Sequence, residues 1–302
     1  MSNKVMIVGT GNVGASIAFS LINQRTSINE IILTDINSKD AEGEAMDLSD
    51  ALPVAPTTIK LSAGTYADAK SCDVVIITAG VPQRPGETRM DLLNNNAKII
   101  KSMIKEIMKS GFDGIFLVVS NPMDVLTYLV WKYSGLPENR IIGSGTVLDS
   151  ARLRQKIATF LNVHPKSIQA YQVGEHGDSE FALWSTANVG GEKITSLVSE
   201  PNRKRLEEET RNEAYEIINR KGATYYGIGV CVAHILNSIF DDEHRILSVS
   251  SYDDNNDVFY GFPSVVGRRG IYRRLNLKLS EEEGINLQKS INVLKEAIKS
   301  VS

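Results

Sequence analysis

Three glycines at fixed spacing limit what this chain can become. Gly9-Thr10-Gly11-Asn12-Val13-Gly14 follows directly on the apolar run Lys4-Val5-Met6-Ile7-Val8 and leads straight into a helical stretch, residues 15–23. Between a strand and a helix, Gly9 allows the tight turn, Gly11 lets the backbone approach a pyrophosphate, and Gly14 lets the helix pack closely on the strand. The helix N-terminus then presents free N–H groups and a positive dipole end to phosphates. A second strand, Glu30-Ile31-Ile32-Leu33-Thr34, ends at Asp35. Asp35 lies about twenty residues beyond Gly14, where a carboxylate accepts the ribose hydroxyls of a dinucleotide. A carboxylate there repels a 2′-phosphate, and Ile36 supplies no arginine for one. The pattern therefore predicts NAD as cofactor, held by Gly9, Gly11, Val13, Gly14 and Asp35.

Strand and helix patterns go on alternating. Residues 41–50 and 96–110 have helical spacing, the latter through Ile99, Ile100, Met103, Ile104 and Ile107. Residues 72–78 and 114–119 are apolar strands ending at Ala79-Gly80 and at Ser120-Asn121-Pro122. This order predicts an α/β chain: a Rossmann-type doubly wound parallel sheet whose ligands sit beyond the carboxyl ends of the strands. Gly9, Asp35, Gly80 and Asn121 should gather there. Near Gly143 the alternation gives way to a mixed second half. The expected organisation is a dinucleotide-binding domain over residues 1–143 and a mixed α+β substrate domain over 144–302. Two helices, 148–161 and 204–220, lead the second half; the second breaks near Gly222 and resumes to Ile239, presenting Thr224 and Ile228 one turn apart. Strands over 245–252 and 257–272 follow. A capping box, Ser280-Glu281-Glu282-Glu283, then opens a last helix with Leu287, Ile291, Leu294 and Ile298 on one face.

The composition closes other routes. The 302 residues are 42% hydrophobic and 23% charged with a net charge of −3, so no basic surface argues for nucleic acid or an anionic membrane. No run approaches the length of a membrane span. The first strand starts so near the N-terminus that a signal peptide has no room. Two distant cysteines, Cys72 and Cys231, fit reduced thiols in a cytoplasmic protein rather than a disulfide framework or a zinc site.

Chemistry concentrates in Val173-Gly174-Glu175-His176-Gly177-Asp178-Ser179-Glu180. One histidine stands between glycines that allow close approach, with carboxylates on either side. Histidine gives or takes a proton near neutral pH and needs a further group to fix its tautomer. Asp149 and Arg152, three apart on a helix, share a face. Alone they would be an ordinary intrahelical ion pair. The stretch 81–90, with two prolines, a glycine, Gln83, Arg84 and Arg89, has the makeup of a lid over a site. His164 precedes Pro165 in a turn, His234 lies in an amphipathic helix and His244 in an acidic turn. No histidine pair has metal-ligand spacing, so no metal is expected.

Taken together, these motifs resemble the lactate/malate dehydrogenase family, and most closely its bacterial lactate-type members. The resemblance is carried in order by Gly9–Gly14, Asp35, Gln83–Arg89, Ser120-Asn121-Pro122, Leu148-Asp149-Ser150-Ala151-Arg152, Gly174-Glu175-His176-Gly177-Asp178 and Gly222-Ala223-Thr224-Tyr225-Tyr226-Gly227. It implies reversible hydride transfer between NADH and a 2-keto acid, with pyruvate and L-lactate as the pair. It implies that His176 exchanges the proton, Asp149 orients it, Arg152 grips the substrate carboxylate and Arg89 polarises the carbonyl when the loop closes. It further implies Gln83, Asn121 and Thr224 at the substrate, and Gly80, Asn121, Ser144 and Ile228 at the cofactor. A homo-oligomer, tetramer or dimer, is expected from the same source.

Three alternatives share parts of this pattern. Malate dehydrogenase, or a broader L-2-hydroxyacid dehydrogenase, differs at the position of Gln83. NAD-dependent glycosidases share the nucleotide domain but lack the His–Asp–Arg set and need a metal. An idle NAD-binding protein would not require His176, Asp149, Arg152 and Arg89. Bacterial members activated by fructose 1,6-bisphosphate use an arginine two residues after the substrate arginine, matched here by Arg154, and a histidine five residues before the catalytic one. Tyr171 stands in that second place, so activation is expected to be weak or absent.

Overall fold

In the computed structural model, residues 3–81 and 89–301 are described. The N-terminal half alternates as its sequence requires. Strand β1 (Lys4–Val8) leads into α1 (Asn12–Ile22), β2 (Glu30–Thr34), α2 (Ser38–Ala51), β3 (Lys60–Ala63) and β4 (Val74–Ile77). Then come α3 (Arg89–Lys109), β5 (Ile115–Val118), α4 (Met123–Ser134) and β6 (Ile141–Gly143). The six strands are parallel, in the order β3-β2-β1-β4-β5-β6. Successive strand residues face opposite sides. Val5 and Ile7 enter one core cluster with Ile17, Leu21, Ala41 and Leu236; Met6 and Val8 enter another with Ile100, Ile104 and Leu126. Both faces are thus covered, which explains why the strands read as unbroken apolar runs. The strand order reverses between β1 and β4, and the loops after them, at Gly9 and Ala79, face each other there.

The second half begins with α5 (Val147–Leu161) and a group of two-residue strands: β7 (Ile168–Gln169), β8 (Gln172–Val173), β9 (Phe181–Ala182), β10 (Asn188–Val189) and β11 (Glu192–Lys193). Next are a single turn, α6 (Ile194–Leu197), and two long helices, α7 (Glu200–Lys221) and α8 (Tyr226–Phe240). The chain ends in β12 (Arg245–Asp253), β13 (Val258–Gly267), β14 (Gly270–Arg274) and α9 (Glu281–Lys299). The last three strands are antiparallel, and β12 joins β6 through Ser250 and Gly143. One nine-stranded sheet therefore runs through both halves of the chain. Ser280 caps α9 with the reciprocal Glu283 contact that the capping box predicts.

Two differences from the sequence reading have physical causes. Helix α3 starts at Arg89 rather than near residue 96: buried Leu93 and Ala97 carry the stripe of Ile100, Ile104 and Ile107 toward the N-terminus, and the three asparagines of low helix propensity, Asn94 to Asn96, interrupt its reading in sequence. Thr224 is not on a helix one turn from Ile228: α7 ends at left-handed Gly222 (φ +85°) and α8 starts only at Tyr226. No helix among the described residues is long and apolar enough to cross a membrane.

Candidate active site

The glycine loop meets its own requirements before any ligand is considered. Gly9 has φ +99°, and a Cβ there would lie 2.7 Å from the Ala79 nitrogen; a Cβ on Gly14 would lie 1.9 Å from the Gly9 oxygen. The fold itself demands these two glycines. Gly11 is different: a Cβ there would meet nothing within 4 Å among the described residues, so none of them requires it. Space is left open at the N-cap of α1, where backbone N–H groups suit a pyrophosphate. Asp35 accepts from the Thr10 backbone N–H at 2.7 Å and the Thr10 hydroxyl at 3.1 Å, which locks the loop against the end of β2. A cavity of about 430 Å³ opens over Thr10, Gly11, Asp35 and Lys39. These residues fit a dinucleotide with free ribose hydroxyls.

Buried polar groups fasten the neighbouring loops. Asn96 on α3, 2% exposed, accepts from the Val81 N–H at 2.9 Å and donates to the Asn121 carbonyl at 2.8 Å. Ser120 donates to the Ala79 carbonyl at 2.6 Å. Ser144 is buried and its N–H donates to the Val118 carbonyl at 2.8 Å. Gly80 and Asn121 thus sit at the carboxyl ends of β4 and β5, as expected. Val13 and Ile228 pack partly buried against the core on the α1 side of the sheet.

The second cavity, about 310 Å³, is lined by Asn121, Asp149, Arg152 and His176 among others. The histidine loop has no regular structure of its own and is pinned from β13, α9 and α4. Gly174 (φ +98°) exchanges two 2.9 Å hydrogen bonds with Gly261 of β13. Ser290 of α9 accepts the Glu175 N–H at 2.6 Å. Asp124 of α4, 2% exposed, accepts the His176 N–H at 2.7 Å and the Ser250 hydroxyl at 2.5 Å. Burial pushes the Asp124 carboxyl up to about 7.

Asp149 is the hinge of the constellation. Its Oδ2 lies 2.8 Å from His176 Nδ1, and its Oδ1 accepts from Arg152 Nη1 at 3.1 Å. The intrahelical ion pair and the histidine contact therefore coexist in one buried carboxylate. A carboxylate has no proton to give, so the ring carries hydrogen on Nδ1 and keeps Nε2 for other work. Burial pulls the imidazolium down, but the Asp149 charge and hydrogen bond outweigh it and raise His176 from 6.5 to about 10. Burial likewise pushes Asp149 up, and the charges of His176 and Arg152 hold it below its ordinary value.

Glu180, which the sequence reading left without a role, is 3% exposed beside this pair. Ligand-type atoms of Asp149, His176 and Glu180 all lie within 4.8 Å of one another, a grouping that could hold a cation. An ion bound to Nδ1 would have to take the nitrogen that Asp149 already holds. Thr224 is half-buried between α7 and α8 and does not line this cavity; nor does Ile228. Gln83 lies outside the described residues, and so does the Arg89 side chain. Arg154 donates from Nε to the Ser150 carbonyl at 3.2 Å. Half-buried Tyr171 is raised by burial, with the Arg154 charge opposing, so it is neutral near pH 7.

A dinucleotide loop joined to a cavity holding a carboxylate-oriented histidine and a buried arginine defines a nicotinamide-dependent oxidoreductase. The comparisons with known proteins agree. Residues 3–143 match the NAD-binding domain of lactate/malate dehydrogenase, and residues 146–302 match that family's alpha/beta C-terminal domain. The chain belongs to the lactate/malate dehydrogenase family. It is 48% identical to L-lactate dehydrogenase 1 and 47% identical to L-lactate dehydrogenase 2 of Bacillus cereus, each over 99% of this chain and 98% of the relative. A lactate dehydrogenase from a Medee basin deep-sea metagenome library superposes with TM-score 0.97 at 46% identity, covering 100% of this chain and 99% of that one. The minor L-lactate dehydrogenase of Enterococcus mundtii in its ligands-bound form gives 0.96 at 45% identity, with 100% and 99% covered.

Proposed function

We propose that this chain is an L-lactate dehydrogenase, reducing pyruvate to L-lactate with NADH and running in reverse with NAD. The observation that carries the reading is His176 bound at 2.8 Å to an Asp149 that also holds Arg152, all lining one cavity. Bound NADH supplies the hydride. Charged His176 gives its Nε2 proton to the oxygen that becomes the hydroxyl, and Asp149 keeps the ring oriented and its charge stable. Arg152 gives one Nη1 hydrogen to Asp149; the rest of its planar fork is suited to a bidentate grip on the substrate carboxylate. Arg89, closing with its loop, polarises the carbonyl in a drier site. Asn121 contacts the substrate oxygen, Gln83 borders the substrate side chain, and Gly80, Ser144 and Ile228 border the nicotinamide.

Residues 1–143 act as the cofactor half and 144–302 as the substrate half. The working form is a homo-oligomer, a dimer or tetramer, in the cytoplasm, whose reducing conditions suit the free thiols of Cys72 and Cys231. Preference for pyruvate over oxaloacetate follows from a neutral Gln83, which offers no partner to a second carboxylate. The test is NADH oxidation with pyruvate, oxaloacetate and branched 2-keto acids side by side. Pyruvate should give the highest kcat/KM; equal values for pyruvate and oxaloacetate would sink the assignment.

A further inference from the structure

Behind the histidine lies a carboxyl group for which the proton relay just described has no use. Glu180 is 3% exposed and shares a 4.8 Å neighbourhood with Asp149 and His176. Its neighbours determine its charge. From β8, Gln172, fully buried and neutral, donates from Nε2 to Glu180 Oε1 at 3.3 Å. From α7, Arg211 donates at 3.0 Å to the Glu180 main-chain carbonyl and at 3.3 Å to Glu207, not to the Glu180 carboxyl. From α5, Arg152 pairs with Asp149, and His176 does the same. Among the described residues no salt bridge reaches the Glu180 carboxyl.

Two buried carboxyl groups this close cannot both ionise without a large penalty, so one keeps its proton. Asp149 has two cationic partners and Glu180 has a neutral amide. We propose that Glu180 retains its proton in the resting enzyme and donates it as a hydrogen bond to Asp149, so that the two carboxyls together carry one negative charge. Burial and the Asp149 charge raise Glu180 well above the usual carboxylate range, while Asp149 is lowered, and this divergence agrees with the geometry. Glu180 is then a positioning residue. Its hydrogen bond fixes the Asp149 carboxylate and draws off part of the charge that Asp149 presents to His176.

The inference rests on Asp149 and His176 being the proton relay, but its first readout does not depend on turnover. Infrared spectra of the intact enzyme at neutral pH should contain the carbonyl stretch of a buried carboxylic acid. That band should move on deuteration and on labelling with ¹³C-glutamate, and should be missing from Glu180→Gln. The second readout is the high-pH limb of kcat/KM for pyruvate. Glu180→Gln, whose amide donates as the acid does, should leave the limb in place; Glu180→Leu, which removes the donor, should move it to higher pH. Absence of a glutamic-acid band in wild type, or a band that persists in Glu180→Gln, overturns the proposal. So does a limb that falls in Glu180→Gln, because loss of a carboxylate has that effect. If either variant fails to fold, the labelled wild-type spectrum still decides whether a buried glutamic acid exists at all. Failure of the wild type to reduce pyruvate would count against the function and leave the infrared result standing.

Discussion

Replacing Asp149 with Asn removes one negative charge from the centre of the site and little volume. In the native chain the Asp149 carboxylate, 2.8 Å from His176 Nδ1, raises the ring from 6.5 to about 10 against the pull of burial. Without that charge burial, the largest influence on the ring, prevails over the weaker pull of the Glu180 and Asp124 carboxyls, and the ring returns to its unperturbed value or below. At pH 8 the wild-type ring is almost wholly charged. A ring titrating at roughly 6.5 would be charged in only about one molecule in thirty, by the tenfold change per pH unit. Pyruvate reduction needs the charged ring, so kcat/KM at pH 8 should fall at least ~30-fold from protonation alone. Lactate oxidation needs the neutral ring, so its loss should be smaller at that pH. The sign runs the same way across the profile. Wild-type reduction should hold from neutral pH and decline as pH passes about 10, whereas the variant should decline from below neutrality. The assay is kcat/KM for pyruvate against pH for both proteins, with the binding of a non-reacting 2-keto acid analogue as a control. A high-pH limb unmoved in Asp149→Asn would remove Asp149 from its role.

Three further outcomes are expected. Gln83→Arg should shift specificity toward oxaloacetate by roughly two to four orders of magnitude, since a buried unpaired carboxylate costs about 3–5 kcal/mol; unchanged kcat/KM ratios would contradict this. Gly11→Ala should leave Tm unchanged but weaken NADH binding, because its Cβ meets no atom of the described residues within 4 Å, whereas Gly14→Ala should lower Tm, because its Cβ would lie 1.9 Å from the Gly9 oxygen; thermal melts with and without NADH separate the two. Fructose 1,6-bisphosphate at millimolar concentration should barely change pyruvate saturation, since neutral Tyr171 offers a phosphate no charge; a several-fold drop in KM for pyruvate would show that Arg154 and other basic groups suffice.

Much of this architecture is legible in sequence wherever a local pattern carries it. The glycine loop sits between two recognisable elements, and Asp149 and Arg152 share a face through helical spacing alone. Other parts leave no local mark. Helix α4 is buried through eight consecutive residues, Met123 to Val130, and so has no polar face to betray its period. Strand β6 is only three residues long, and β3 is half-exposed. Asp124 and Asn96 look like ordinary helix polars until tertiary contact brings them to His176 and Asn121. Glu180 looks like one more loop acid, because its burial depends on α5 and α7 closing over it. Thr224 reads in sequence as part of a resumed helix, because Gly222 does not show how far the interruption extends; α8 starts only at Tyr226.

The central claim is that charged His176, held by Asp149, is the acid that completes pyruvate reduction. A His176→Asn variant tests it most directly, measured beside wild type for NADH binding by fluorescence and for L-lactate formed per NADH consumed at neutral pH. The account predicts one L-lactate per NADH in wild type. In the variant, NADH binding should be unchanged and reduction slowed by about 10²–10⁴-fold, the usual worth of a positioned acid. A variant that binds NADH and still forms L-lactate at the wild-type rate would contradict it.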